Sequence, residues 1–176
     1  MSHLCHFNYS ANLNPQPLVP TSVGIMQTPH SLMISGFNLL IEVTTASAIV
    51  NQARTQTLRR AIPVMAHFDT GASLTTIDAQ LATHLGIIST GSSPISTANG
   101  IANTPNYAVD VSFINTPLKS IVNLQVSSCN LAHFNLSQAL SNPSDPRNFG
   151  VLIGRDIMSL WNIVWNGPTS TVLISD

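Results

Sequence analysis

An aspartate at the end of an apolar run constrains the fold of this chain more than any other feature of its sequence. Within residues 61–68, the apolar Val64, Ala66 and Phe68 alternate with other residues, the period of a strand with one face in the core. Asp69 comes next, and Thr and Gly follow it. Burying a carboxylate costs free energy unless it is paired or hydrogen-bonded, whereas a glycine lets the backbone turn sharply. This pattern predicts a functional carboxylate at Asp69, with a buried structural aspartate as the alternative.

Two motifs of the sequence together resemble those of a known protease family. The first, residues 69–73, spells Asp-Thr-Gly-Ala-Ser after the apolar strand. The second begins 82 positions after Asp69, where the apolar residues 151–153 precede Gly154, Arg155 and Asp156. Their order and apolar context resemble the active-site loop of single-domain, retropepsin-like aspartic proteases and the segment that packs behind it. In such a protein, the second motif has a structural role.

The resemblance implies a role for each residue of the first motif. Asp69 would be the catalytic residue, and Thr70 would hydrogen-bond across a two-fold axis to a partner loop. Gly71 would allow close approach and direct its N–H at the carboxylate. Ala72 would help to form the wall of the substrate groove, and Ser73 would hydrogen-bond the outer carboxylate oxygen.

Peptide hydrolysis by carboxylates needs two of them, one ionised to take a proton from water and one protonated to hydrogen-bond the carbonyl. Two carboxyls about 3 Å apart cannot both ionise, so a shared proton supplies both states. None of the other acids begins an Asp-Thr-Gly or Asp-Ser-Gly motif: Glu42, Asp78, Asp110, Asp145, Asp156 and Asp176. We therefore expect the second Asp69 to come from another copy of the chain, in a homodimer.

A hairpin with a glycine-containing tip is predicted in the middle of the chain. Residues 95–97 and 107–113 are its strand-like arms, and residues 89–94 are predicted to form a polar turn before it. The residues assigned to the tip are Ala98, Asn99, Gly100 and Ile101. By position, this hairpin resembles the flap that closes over a peptide in the family. The alternative is an ordinary surface hairpin.

Many short strands separated by turns predict an all-β protein, a closed barrel with one or two short helices. One helix is predicted over residues 78–85, with an aspartate as its N-cap and a glycine after its end. The length of 176 residues suits one domain. Residues 1–31, rich in Asn and Pro, are predicted to be an N-terminal arm or linker, and residues 32–176 the protease domain. The family resemblance itself covers about residues 36–176.

The composition argues against several classes of partner. Charged residues make up 7% of the chain, against about 25% in a typical soluble domain, and the net charge is −1. This charge gives no electrostatic basis for binding nucleic acid or anionic membrane, and a weakly charged surface favours self-association. The sequence has no apolar run of the roughly 18 residues that span a membrane, so neither nucleic acid nor membrane is expected as a partner.

The cysteines and the chain start suggest a cytoplasmic location, unless the chain is part of a larger precursor. No secretory signal is recognisable at the start, and Cys5 and Cys129 are expected to be free thiols. No cofactor or metal is predicted. His3, Cys5 and His6 are potential metal ligands, but their grouping is better explained as a coincidence of the terminus.

These observations predict an aspartic endopeptidase that acts as a homodimer, with one Asp69 from each subunit activating a water molecule. The resemblance implies an extended peptide substrate bound beneath the flaps, with backbone hydrogen bonds that extend the sheet. Two alternatives stay open. One is a non-catalytic module that keeps the fold for dimerisation or peptide binding. The other is a latent protease restrained by its N-terminal arm.

Overall fold

Strands dominate this computed structural model, which describes residues 4–9, 15–18, 36–47, 60–97 and 100–176. For residues 4–9, 15–18 and 96–97 it describes the backbone alone. The strands are β1 (Leu4–Tyr9), β2 (Pro15–Leu18), β3 (Asn38–Thr45), β4 (Ala61–Phe68), β5 (Thr76–Asp78), β6 (Gly91–Thr97), β7 (Gly100–Phe113), β8 (Ile121–Cys129), β9 (Phe149–Ile153), β10 (Asn162–Asn166) and β11 (Thr171–Ser175). The helices with described bounds are α1 (Ala79–Leu85), α2 (Leu136–Ser141) and α3 (Arg155–Met158).

Six strands close into a barrel in the order β3-β4-β9-β5-β8-β7, and the pairing of β3 with β7 closes the ring. The barrel is mixed, because β4 runs parallel to β9 and β5 runs parallel to β8, whereas the other neighbours are antiparallel. β6 extends the sheet as a hairpin with β7. The predicted all-β closed barrel with few short helices is therefore confirmed.

Alternating apolar side chains on β3 and β4 supply much of the barrel core. Leu39, Ile41 and Val43 are buried on β3, and Ile62 and Val64 are buried on β4. Successive side chains of a strand point to opposite faces, so residues two apart share the face that packs inward. The pattern that predicted β4 from sequence is thus the pattern that fills the barrel.

A second sheet, with the order β10-β11-β1-β2, contains both ends of the described chain. β11 lies between β10 and β1, and its Val172 and Ile174 are fully buried. The strands β1 and β2 lie in the segment predicted to be an arm or linker. β2 contains Pro15 and Pro17, which argue against a strand in local sequence terms. Proline is tolerated on an edge strand such as β2, where its missing N–H removes no essential hydrogen bond. The division of the chain at residue 31 stays a prediction.

Two local predictions have different outcomes. The predicted helix is confirmed as α1, where the Asp78 carboxylate accepts the Gln80 N–H and Gly86 ends the helix at a φ of 67°. The predicted polar turn over residues 89–94 is wrong from Gly91 onward, since β6 begins there. The backbone N–H and C=O groups of β6 form hydrogen bonds with β7. Because this pairing does not require apolar side chains, a polar segment can form the strand. Within the described ranges, none of the helices has the length and apolar character needed to cross a bilayer.

Candidate functional site

Asp69 and Gly154 come together because β4 and β9 are parallel neighbours. Phe68 pairs with Ile153, the last residue of each strand, so the chain leaves both strands at the same edge of the sheet. The Asp69 N–H donates to the Ile153 carbonyl at 3.0 Å, which extends the pairing by one residue. The two sequence motifs therefore form one structural unit.

The loop after β4 presents the Asp69 carboxylate with one oxygen engaged. The Gly71 N–H donates to Asp69 Oδ1 at 2.8 Å, and the Ala72 N–H donates to the Asp69 carbonyl at 3.1 Å. Asp69 is half-buried, whereas Thr70 and Gly71 are exposed. Across the described ranges, Asp69 Oδ2 accepts no hydrogen bond. One carboxylate oxygen is thus oriented by the loop, and the other is available to a ligand.

Gly154 lies directly beneath the loop that connects β4 to β5. β9 lies between these two strands, so residues 69–75 must pass over the end of β9 to reach β5. A Cβ atom built on Gly154 would lie 2.5 Å from the Leu74 carbonyl carbon and 2.8 Å from the Thr75 nitrogen. Both neighbours are backbone atoms, so only a residue without a side chain fits at this crossing.

A buried threonine joins the loop to the start of α3. Thr75 donates its N–H to Asp156 Oδ2 at 2.9 Å and its hydroxyl to Asp156 Oδ1 at 2.8 Å. Its hydroxyl oxygen accepts the Gly154 N–H at 3.1 Å, and the Ile157 N–H adds a bond to Asp156 Oδ1 at 2.9 Å. Both oxygens of Asp156 are therefore engaged within the chain, as expected of a structural carboxylate.

The role of Thr75 does not follow from its local sequence. Thr75 lies two positions before Ile77, on the same face of an extended stretch, and a buried hydroxyl needs a hydrogen-bond partner. The sequence offers many polar groups as partners. Only the position of α3 in the fold identifies Asp156 as the hydrogen-bond partner of Thr75.

Arg155 contacts the loop through its backbone and its side chain. Its N–H donates to the Ala72 carbonyl at 3.0 Å, and its Nη1 donates to the Thr70 carbonyl at 2.9 Å. The neighbouring Asp156 N–H donates to the Ser73 carbonyl at 3.3 Å. Three carbonyl groups of the loop are thus bonded from the start of α3. The roles predicted for the side chains of Thr70, Ala72 and Ser73 stay predictions.

His67, two residues before Asp69 on β4, packs against residues of the neighbouring strands β3 and β9. Its Nδ1 lies 2.8 Å from Asn38 Oδ1, and its ring stacks on Phe149 with ring centroids 4.9 Å apart. Burial lowers the pKa of His67, and the nearby negative charge of Asp69 opposes part of this effect. The imidazole therefore contributes to packing, and its burial favours the neutral form.

Aromatic side chains pack beside the end of β4 that carries Asp69. The Phe68 ring lies 4.4 Å from Phe37 and 6.1 Å from Trp161, measured between centroids. Trp161 also packs edge-on against Phe113 at 5.0 Å, and Trp165 packs against Phe37 at 5.6 Å. The two tryptophans therefore contribute to the packing of this end of the molecule.

The other buried carboxylates have structural partners away from the loop. Asp78 accepts the N–H of Gln80 at 2.7 Å and that of Leu131 at 2.7 Å, which ties α1 to the chain beyond β8. Asp110, on β7, accepts the Asn123 N–H at 2.9 Å. In the part of the chain with described side chains, no three His, Cys, Asp or Glu residues are grouped as ligands for a metal ion.

The predicted hairpin is present as β6 and β7, but its tip lies partly outside the described residues. Ala98 and Asn99 are among the residues not described, whereas Gly100 and Ile101 begin β7. The Ile101 side chain is 81% exposed, and Gly100 has a φ of 113°, a conformation that favours glycine. The structure thus joins the two motifs into one site, and the flap role of the hairpin stays a prediction.

Comparisons with known proteins complete the description of the site. A family model described as aspartyl protease matches residues 46–157, more than half of the 176 residues. A crystal structure of a retropepsin-like aspartic protease from Rickettsia conorii superimposes with a TM-score of 0.48 at 12% identity, covering 99% of this chain and 92% of that chain. No curated protein matches the sequence significantly.

Proposed function

Since the chain belongs to the aspartyl protease family, we propose that it is an endopeptidase with Asp69 as its catalytic residue. The observation that carries the proposal is the carboxylate of Asp69, with Oδ1 bonded to the Gly71 N–H and Oδ2 without a hydrogen bond from the described residues. A carboxylate needed only for stability would have its acceptors used within the chain, as Asp156 does.

The proposed reaction uses two Asp69 carboxyls that share one proton. The ionised carboxylate takes a proton from a water molecule, which attacks the peptide carbonyl carbon. The protonated carboxyl hydrogen-bonds the carbonyl oxygen as it becomes tetrahedral. Breakdown of this intermediate breaks the C–N bond and returns a proton to the departing amine. The two carboxyls titrate as a pair, so the activity should fall at both low and high pH.

The second Asp69 is proposed to come from another copy of the chain. Asp156 is the other carboxylate at the loop, but both of its oxygens are engaged by Thr75 and Ile157. Asp78 and Asp110 are likewise engaged in other parts of the barrel. These bonds support a two-fold homodimer, because the three acids have structural partners and a second Asp69 would supply the missing carboxylate.

The proposed substrate is a peptide in an extended conformation. It would lie between the paired Asp69 residues and the β6–β7 hairpin, with the tip residues at 98–101 closing over it. Thr70 would bond the partner loop across the axis, and Ala72 and Ser73 would line the site next to the carboxylates.

The first test compares cleavage of a mixed peptide library by the wild type and by Asp69→Asn between about pH 4 and 7. We expect turnover by the wild type and none by the variant, because the amide cannot act as a base. Both proteins should sediment as the same dimer. Equal turnover by the variant would refute the proposal, and peptide binding without turnover by the wild type would favour a non-catalytic binding module.

A mixing experiment tests whether the site needs two chains. Asp69→Asn is added to a fixed amount of wild type, and the subunits are allowed to exchange. At equal amounts, random pairing should reduce the wild-type activity to about half, because mixed dimers hold one Asp69. An inert protein of the same concentration is the control. Activity that does not respond to the variant would indicate a catalytic monomer.

A further inference from the structure

We propose that Arg155 is a positioning residue of the catalytic carboxylate, and that it acts through a single peptide group of the loop. Its Nη1 donates to the Thr70 carbonyl at 2.9 Å. The N–H of the same peptide group belongs to Gly71, and it donates to Asp69 Oδ1 at 2.8 Å. This inference rests on the proposed role of Asp69. It assigns Arg155 more than the structural role that the family resemblance implies.

The peptide group between Thr70 and Gly71 is planar, and it can therefore transmit the influence of Arg155 to the Asp69 carboxylate. Fixing the direction of its C=O also fixes the direction of its N–H, which points the other way in the same plane. A positively charged donor on the oxygen polarises the group, and a polarised N–H is a stronger donor to a carboxylate. Arg155 therefore orients the Asp69 carboxylate through this peptide group.

The Arg155 guanidinium is suited to this task because none of the acids that the structure describes forms an ion pair with it. Ion pairs with described side chains join Lys119 to Asp176 and Arg147 to Asp145, and none includes Arg155. Its side chain is exposed, so truncating it leaves no cavity in the core. The bond from its N–H to the Ala72 carbonyl is a backbone contact and persists in any substitution except proline. Side-chain variants thus remove the contact with Thr70 selectively.

Arg60 provides a matched control. Its Nη1 also donates to a backbone carbonyl, that of His84 at 2.7 Å, and its side chain is also exposed. Arg60 precedes the first residue of β4, whereas Asp69 follows the last, so the two lie at opposite ends of the strand. Arg60→Ala removes the same kind of bond with no connection to the carboxylate.

The test measures kcat and KM for the wild type, Arg155→Ala, Arg155→Lys and Arg60→Ala. We expect Arg155→Ala to lower kcat on the order of 10-fold with little change in KM, since misdirecting a catalytic group affects the chemical step.

The control, Arg60→Ala, and the conservative variant, Arg155→Lys, distinguish a positioning role of Arg155 from a purely structural one. Arg60→Ala should keep the wild-type kcat and KM, and Arg155→Lys, which keeps a charged donor, should recover part of the rate. Sedimentation identifies any loss of activity that is due to dimer dissociation. An unchanged kcat per dimer in Arg155→Ala would overturn the proposal, as would a loss explained entirely by a weaker dimer.

Amide exchange at Gly71 provides a readout that does not depend on turnover. We expect its N–H to exchange faster with solvent in Arg155→Ala than in the wild type, measured by NMR, with no change in Arg60→Ala. If the wild type cleaves no peptide, the proposed function fails, but this measurement still tests the contact. Unchanged Gly71 exchange in Arg155→Ala overturns the positioning role in either case.

Discussion

At the scale of single residues, the site depends on the absence of a side chain at Gly154. The Leu74 carbonyl carbon and oxygen lie 2.5 and 2.7 Å from where its Cβ would be, and backbone atoms cannot rotate away as a side chain can. Any larger residue would push the loop away from β9, and with it the peptide groups that orient Asp69. The same glycine therefore serves both stability and the geometry of the site.

Gly154→Ala should destabilise the fold and impair the site. We expect a loss of about 1–3 kcal/mol in the free energy of unfolding, the usual cost of overpacking, measured by chemical denaturation. Gly167→Ala is the control, because nothing lies within 4 Å of its Cβ position, and its cost should stay within about 0.5 kcal/mol. Equal losses in the two variants would contradict the close approach at Gly154.

At the scale of elements, the parallel pairing of β4 and β9 brings the two motifs of the site together. His67, on β4, contacts residues of both neighbouring strands, β3 and β9. Its ring bonds Asn38 at the start of β3 and stacks on Phe149 at the start of β9. Protonating His67 would place a positive charge between these strands, and burial therefore lowers the pKa of His67.

The stability of the fold should therefore decrease in mild acid. The unfolded chain protonates His67 near its ordinary pKa of about 6.5, whereas the folded chain does so only at lower pH. The unfolded state thus binds more protons between these two pKa values, so stability falls as pH drops below about 6.5. The melting temperature of His67→Gln should depend less on pH than that of the wild type between about pH 7.5 and 5.

A second histidine variant serves as the control for this comparison. His133 has an exposed side chain, so His133→Gln removes one imidazole without changing the packing between strands. If the wild type and His67→Gln lose stability equally on acidification, burial of His67 makes no contribution to the pH dependence.

At the scale of the whole molecule, the second sheet brings the beginning of the described chain to its end. β1 pairs with β11 from Leu4 opposite Ser175 to Asn8 opposite Thr171. Without β1, one edge of β11 would lose its backbone partners. This pairing bears on the hypothesis that the N-terminal segment restrains a latent enzyme, because a strand integrated into a sheet also supports the fold.

Deleting residues 1–31 should lower stability instead of releasing activity. We expect the melting temperature to fall by about 5 °C or more, since several backbone hydrogen bonds are lost together, with no gain in kcat. Phe7→Pro tests the same pairing in the full chain, because it removes an N–H within β1 opposite Val172. An unchanged melting temperature with faster turnover would support the restraining arm.

The sequence predicts those elements whose interactions join neighbouring residues, and it does not predict those that depend on distant strands. The alternation in β4, the capping of α1 by Asp78 and the buried strand β9 follow from neighbouring residues, and the structure confirms them. The first residues of the polar strand β6 fall within the predicted turn over residues 89–94, and no strand is predicted at β1. Both depend on a partner strand that supplies hydrogen bonds, which local composition does not encode.

The sequence by itself determined where a carboxylate would leave a buried strand, at Asp69, and where a glycine would follow a second apolar strand, at Gly154. Only the tertiary structure decided that the two strands are parallel neighbours ending at the same edge. It also decided which acid is engaged by Thr75 and which carbonyl Arg155 reaches. The physical reason is that side-chain periodicity is a local property, whereas contacts across more than 80 positions depend on how the whole barrel closes.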